Sequence, residues 1–218
     1  MPVIAIDGPA GAGKSTVARA VAARTDLPYL DTGAMYRCVA LAAVRAKQDI
    51  HDNEQMGRIA AISQIQIDED AALLNGEDVS HLIRGPEISG IVSVIATHSA
   101  VRDAMREQQR QWIRDHGGGV VEGRDIGTVV FPDAEIKIFL TASPEVRAER
   151  RVSQTGGDVA AIAANIAERD HIDSTRADSP LRPAVDAHAV DSSHKSIDEV
   201  VDEIVQYFVR YKSGAHHG

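Results

Sequence analysis

The sequence predicts an α/β fold, a doubly wound parallel sheet carrying one inserted subdomain. Three features predict it. Short strand-like stretches at Val3–Ile6, Val120–Val121, Ile136–Leu140 and His188–Asp191 alternate with longer stretches of helical periodicity, the pattern of strands crossed by helices. The first run leads through Gly8-Pro9-Ala10-Gly11-Ala12-Gly13-Lys14-Ser15 straight into the helical pattern Thr16–Ala22, so a glycine-rich turn joins strand to helix. From about residue 50 to 94 a hairpin signal interrupts the rhythm, and an antiparallel hairpin is foreign to a parallel core.

Taken in order, strand one and the helix behind the glycine-rich turn run to about Arg24, and Leu27–Asp31 reads as a short second strand ending in a carboxylate. A helix over Thr32–Lys47 follows, then a break at Asp49–Asn53 and a short helix at Glu54–Ile62. Ile65–Asp68 alternates as a strand, and the turn-prone Asp68-Glu69-Asp70 and Asn75-Gly76 bracket Ala71–Leu74 as its hairpin partner. Ser99 is the expected N-cap of a helix to Asp115, closed by Gly117-Gly118-Gly119.

Val120-Val121 opens a buried strand that ends in the polar Glu122-Gly123-Arg124-Asp125-Ile126-Gly127-Thr128, at the carboxyl edge where open parallel sheets bind ligands. Ser143-Pro144-Glu145 combines an N-cap, a proline at the first helical position and an early acid. The helix it starts carries Arg147, Arg150 and Arg151 at spacings that put three cations on one face. After a break at Thr155–Asp158, a second helix runs to about Ser174, and Arg169, Asp173 and Arg176 follow at i, i+4 and i+7. Ser196-Ile197-Asp198-Glu199 is a capping box, and Ile197, Val200, Val201, Ile204, Val205, Phe208 and Val209 behind it are spaced for one buried stripe. Residues 213–218 read as a loose tail with two histidines, His216 and His217.

Composition narrows the function. The 218 residues suffice for one well-filled domain with an insertion, and with 44% hydrophobic but only 4% aromatic residues the core is built from Val, Ile, Leu and Ala. A formal charge of -9 argues against a nucleic-acid polymer or an anionic membrane as partner. The single cysteine, Cys38, excludes an internal disulfide and reads as a small buried residue. Without a basic n-region or a long apolar run, neither a signal peptide nor a membrane span is expected, and the expected location is the cytoplasm.

The chemistry starts at Gly8–Ser15, which is a P-loop. Its glycines let the backbone curl N–H groups around phosphates, and the helix N-terminus behind adds about half a positive charge. Lys14 is placed to reach the β and γ phosphates, and the Ser15 hydroxyl to ligate Mg²⁺. Lys14 is expected to be too exposed to matter to the core. Phosphoryl transfer from ATP follows as the first class. If the acceptor is itself a phosphate, two repelling anions must be held in line by cations, and Arg37, Arg124, Arg147, Arg150, Arg151, Arg169 and Arg176 supply them. Such an acceptor, with its second pKa near ~6, needs no general base. A small-metabolite kinase acting on a hydroxyl, as on shikimate, would share the P-loop but not need so many cations. A GTPase-like switch would need Asn-Lys-x-Asp, and none of Asn53, Asn75 and Asn165 is followed by lysine.

The P-loop through Thr16, Leu30-Asp31-Thr32-Gly33-Ala34-Met35-Tyr36-Arg37, Glu122–Thr128, and Glu168-Arg169-Asp170 with Asp173 and Arg176 together resemble the bacterial cytidylate kinase family, over the chain to about Tyr211. The resemblance implies a monomeric nucleoside monophosphate kinase that uses ATP and Mg²⁺ to phosphorylate CMP or dCMP. It implies a core of residues 1–49, 95–146 and 177–212, a monophosphate-binding insertion at about 50–94 and a helical lid at about 147–176. By matching positions, Gly8, Pro9, Ala10, Gly11, Ala12, Gly13, Lys14, Ser15, Thr16 and Arg150 would hold ATP, and Lys14, Arg124 and Arg169 would be catalytic. Arg37, Arg124 and Arg176 would grip the CMP phosphate, Arg169 and Asp173 the sugar, and Ser93, Arg102 and Asp125 the cytosine. Asp31 and Thr32 join the substrate set through their motif. Two features depart from the family pattern: the stretch from Arg151 to Glu168 is short, and Glu122 stands where many members have aspartate.

Overall fold

A computed structural model describes residues 2–68 and 71–214. Glu69 and Asp70 of the expected turn, and the tail histidines, lie outside the described residues. In chain order the elements begin with β1 (Val3–Asp7), α1 (Lys14–Thr25), β2 (Tyr29–Asp31), α2 (Thr32–Arg45) and α3 (Asn53–Ile62). Next come β3 (Ile65–Ile67), β4 (Ala72–Leu74), β5 (Glu77–Asp78), a 3-10 turn at Leu82–Arg84, α4 (Pro86–Ile95) and α5 (Ser99–His116). The chain ends with β6 (Gly119–Gly123), a π-helical turn at Ile126–Val130, β7 (Ile136–Thr141), α6 (Pro144–Thr155), α7 (Val159–Thr175), β8 (His188–Asp191) and α8 (Ile197–Gly214).

These elements form two compact units. Among the described residues, the first holds those through Tyr29, His116–Thr175 and those from Ser179. Its sheet runs in the order β2-β6-β1-β7-β8. β1 pairs in parallel with β6, Ile4 opposite Val120, and with β7, Ile4 opposite Ile136, while β7 pairs in parallel with β8. Because parallel strands are covered on both faces, β1 is buried throughout. Val17, Val21 and Ala18 of α1 join Ile4, Ile6, Val120, Ile138, Leu140 and Val190 of the sheet and Val200, Val201, Ile204 and Phe208 of α8 in one aliphatic core. The expected stripe on α8 is narrower than its spacing suggested: Ile197 is 52% and Val209 55% exposed. At 100° per residue Val209 falls well round the helix from Val200 and Ile204, and Ile197 is the helix's first residue. α8 also continues through Ser213 and Gly214, which the sequence reading gave to the tail.

The second unit is Leu30–Asp115 with Arg176–Asp178. It exceeds the segment 50–94 because α2 packs on α3, α4, β3, β4 and the 3-10 turn, so its apolar face belongs to this core. β3, β4 and β5 form an antiparallel meander, with Ile65 opposite Leu74 and Leu74 opposite Glu77. Asn75 and Gly76 both take positive φ, 52° and 84°, as a two-residue hairpin turn demands. The sequence reading had no helix at Pro86–Ile95; the proline at its first turn permits one, and Ile88, Val92 and Ile95 bury one side. α5 makes its first backbone bond from Arg102 N–H to His98 O, so His98, not Ser99, takes the cap position. Cys38 is fully buried and burial pushes its thiol up to about 12, so it stays protonated, as a packing residue does.

Candidate active site

β1 ends at Asp7 and the backbone turns through Gly8–Gly13 into α1. Two glycines make that turn possible. A Cβ on Gly8 would stand 2.0 Å from the Leu140 carbonyl oxygen, and Gly13 caps α1 in the left-handed region at φ 90°. Val17 N–H makes the first helical bond, to Gly13 O at 3.0 Å, so the amides of Lys14, Ser15 and Thr16 precede the helical ladder at its positive end. Ser15 and Thr16 are exposed there.

Lys14 is not exposed, as the sequence reading expected, but 7% accessible, and its Nζ donates to Pro9 O at 2.9 Å. Burial, and next the Arg124 guanidinium, push its ammonium down to about 7 against the pull of Glu122, Asp173 and Asp7. Arg124 leaves the end of β6 and donates from Nε to Asp173 Oδ2 of α7 at 2.8 Å. Burial opposes its charge, but Asp173, Asp170 and Glu122 outweigh it and raise its pKa. Glu122 is buried and accepts from the Tyr29 hydroxyl. Two cations and three carboxylates thus share one buried cluster at the carboxyl ends of β1 and β6.

Asp7, which the sequence reading passed over, is the third of those carboxylates. It accepts from the Ile126 and Gly127 amides, each at 2.8 Å, and so fixes the start of the π-helical turn directly after Arg124 and Asp125. The sequence reads there only as a polar strand end, with no helical turn. Burial, against those two N–H bonds, pushes its carboxyl up from 3.8 to about 6. A raised folded-state pKa means this group's stabilising share is complete below about pH 3.8 and is withdrawn as pH rises through about 6. Asp7→Asn cannot ionise. Calorimetry of the ligand-free protein is expected to show the melting temperature of wild type falling relative to this variant from pH 4 to 6, and a parallel pair of curves would refute the raised value.

The three arginines of α6 do not act as one cationic face. Arg147 turns inward, donating to Ala10 O at 3.1 Å and Ala142 O at 3.2 Å, and pairs with Asp170. Asp170 Oδ1 in turn accepts the Ala10 N–H at 3.1 Å, so this pair fastens the P-loop backbone by both its polar groups. Arg150 donates to Ser192 Oγ at 2.9 Å and Ser192 O at 2.7 Å and reaches Ala12 O at 3.4 Å. Arg151 meets Gln154 at 3.5 Å. Arg169 is half-buried on α7. Asp125 is buried and its carbonyl accepts from Val129 and Val130.

The remaining expected residues belong to the second unit. Asp31 caps α2, its Oδ1 accepting the Ala34 N–H at 2.9 Å, and Thr32 is buried behind it. Arg37 donates to Ile83 O at 3.1 Å and Ser89 Oγ at 2.8 Å. Ser93 is buried on α4. The Arg102 guanidinium lies 5.5 Å over the Tyr36 ring and donates to Ala96 O at 3.1 Å. Arg176 is buried.

A buried lysine and glycine-rich turn at a helix N-terminus, on the carboxyl edge of a parallel sheet, define a P-loop phosphotransferase. A gluconokinase structure from Sinorhizobium meliloti is similar in fold alone, with a TM-score of 0.52 at 16% identity over 99% of this chain and 95% of that one. The family model for cytidylate kinase matches residues 4–210. A cytidylate kinase of Pelotomaculum thermopropionicum is 50% identical over 94% of both chains, and a bifunctional pantoate ligase/cytidylate kinase of Prochlorococcus marinus is 47% identical over 95% of this chain and 44% of its own. The chain belongs to the cytidylate kinase family. Among the described residues no helix is long and apolar enough to cross a membrane.

Proposed function

We propose that this chain transfers the γ-phosphate of ATP to CMP or dCMP, giving ADP and CDP or dCDP. The observation that carries the reading is the buried cluster of Lys14, Arg124 and Asp173 beside the P-loop, in a member of this family. Lys14 offsets charge on the triphosphate, the α1 amides and Arg150 hold the nucleotide, and Arg37, Arg124 and Arg176 hold the acceptor phosphate. Arg169 and Asp173 take the sugar and the transferring group, with Asp31 and Thr32 supporting the substrate side. Asp173 keeps Arg124 charged and aimed while the substrate is absent. The acceptor is already a dianion at neutral pH, so no side chain has to remove a proton.

A divalent cation fits this donor set. Mg²⁺ keeps several waters and leans on phosphates, so a hydroxyl and a carboxylate are donors enough from the protein. Ser15, exposed at the first turn of α1, would supply the hydroxyl ligand, and Glu122 or Asp7 a carboxylate acting through water. When bound, the ion neutralises charge between the β and γ phosphates.

A coupled assay with ATP and Mg²⁺ across CMP, dCMP, UMP, AMP, shikimate and gluconate tests the reading. Turnover is expected on CMP and dCMP; turnover confined to a metabolite hydroxyl would overturn it. In the same assay Arg37→Ala and Arg176→Ala are each expected to raise KM for CMP by roughly tenfold or more, with KM for ATP little changed. A rise confined to ATP would reassign these arginines to the donor.

A further inference from the structure

We infer that Asp178 is a positioning residue for the acceptor site: its carboxylate, shared between Arg106 and Arg102 of α5, pins the segment that carries Arg176. The inference rests on the assignment of Arg176 and Arg102 to the acceptor nucleotide. α7 ends at Thr175, and the next three residues, Arg176–Asp178, group with the second unit. They have no helix or strand of their own, so no ladder of backbone bonds sets their path. Ser179 then takes φ +53°, a left-handed turn that a serine adopts only where its surroundings hold it.

The holding group is the Asp178 carboxylate. Arg106 donates to it from both ends of its guanidinium, Nη1 to Oδ1 at 3.2 Å and Nη2 to Oδ2 at 3.4 Å, and also pairs with Asp103 one turn earlier. Arg102 Nε stands 3.9 Å from the same Oδ1. A solvated ion pair would fix nothing, because its Coulomb gain is screened and its side chains lose entropy. Here the partners are 1% (Arg102), 18% (Arg106) and 26% (Asp178) exposed, and a two-pronged fork fixes direction as well as distance. Burial works against the Arg106 charge, yet Asp103 and Asp178 together raise its pKa, so the guanidinium keeps its charge. One carboxylate therefore sets two things: the backbone position two residues after Arg176, and the charge environment of the almost fully buried Arg102.

Neither Asp178 nor Arg106 touches the reacting groups in this reading, and their effect is expected in KM for the acceptor. Asp178→Asn keeps the shape and removes the charge, and Arg106→Met removes the fork from the other side. Each is expected to raise KM for CMP about tenfold while kcat and KM for ATP stay within about twofold. The double variant is expected to be no worse than the worse single, since both delete one interaction, and Asp178→Glu to recover part of the loss. Arg176→Ala runs beside them as the reference. If Arg176→Ala raises KM for CMP and Asp178→Asn does not, the positioning role is overturned and the acceptor reading survives. If Arg176→Ala has no effect either, the acceptor reading and this inference fall together. Equal rises in both Michaelis constants with a lowered melting temperature would mark Asp178 as a purely structural residue and also overturn the inference.

Discussion

Replacing Lys14 by methionine is expected to lower kcat for CMP phosphorylation by on the order of 10³-fold or more, while the ligand-free enzyme melts at or above the wild-type temperature. The rate loss follows from the role proposed for the ammonium in the P-loop, that of offsetting charge that grows between the β and γ phosphates. The stability result follows from its burial. A lysine whose pKa is pushed from 10.5 to about 7 stabilises the fold fully only above its unfolded value, and that share is withdrawn as pH falls through about 7. Methionine keeps the unbranched stem and removes the cost. The melting advantage of the variant is therefore expected to grow from about pH 10 down to pH 7 and to level off below, a trend that calorimetry at several pH values measures. A variant with near-wild-type turnover would remove Lys14 from the mechanism. One that melts well below wild type at pH 7 would mean that the bond to Pro9 O and the attraction of Glu122, Asp173 and Asp7 outweigh desolvation.

Asp125→Asn is expected to lower activity on CMP and to narrow the preference for CMP over UMP, which is itself expected to be roughly a hundredfold in the wild type. Cytosine carries an amino donor at position 4 where uracil carries a carbonyl. A carboxylate accepts from the first and opposes the second, whereas asparagine offers the second an NH₂. Asp125 is buried and lies at the entry to the π-helical turn that Asp7 anchors, so its backbone is held from behind. The ratio of kcat/KM for the two monophosphates in both enzymes is the measurement. An unchanged ratio would move the reading of position 4 to Ser93, Arg102 or the backbone.

Local pattern carried much of this protein's architecture. Alternating apolar runs located β1, β6, β7 and β8, the glycine-rich stretch located the P-loop, and Ser143-Pro144 and Ser196–Glu199 marked two helix starts, because each of these signals is written within a few residues of where it acts. The hairpin at Asn75-Gly76 was equally readable, since a two-residue turn demands those residue types. α4 was not, because Pro86–Ile95 mixes β-branched Ile and Val with Gly90 and two serines, a composition that gives no clear helical signal until the segment packs against α2. The state of the charges was likewise decided by tertiary structure. Asp7 meets the amide of Gly127 across 120 positions of sequence, and Arg147 reaches Ala10 O across 137. No spacing rule on α6 distinguishes an arginine that faces water from one that fastens the P-loop. By residue type Lys14 reads as exposed; the parallel sheet buries it with Arg124, Glu122 and Asp173, and desolvation then sets its charge. Sequence alone determined the P-loop and the arginines and carboxylates that stand around the strand ends. The fold decided their protonation, their partners and their aim, because the burial and electrostatics that fix these depend on distances between residues far apart in the chain.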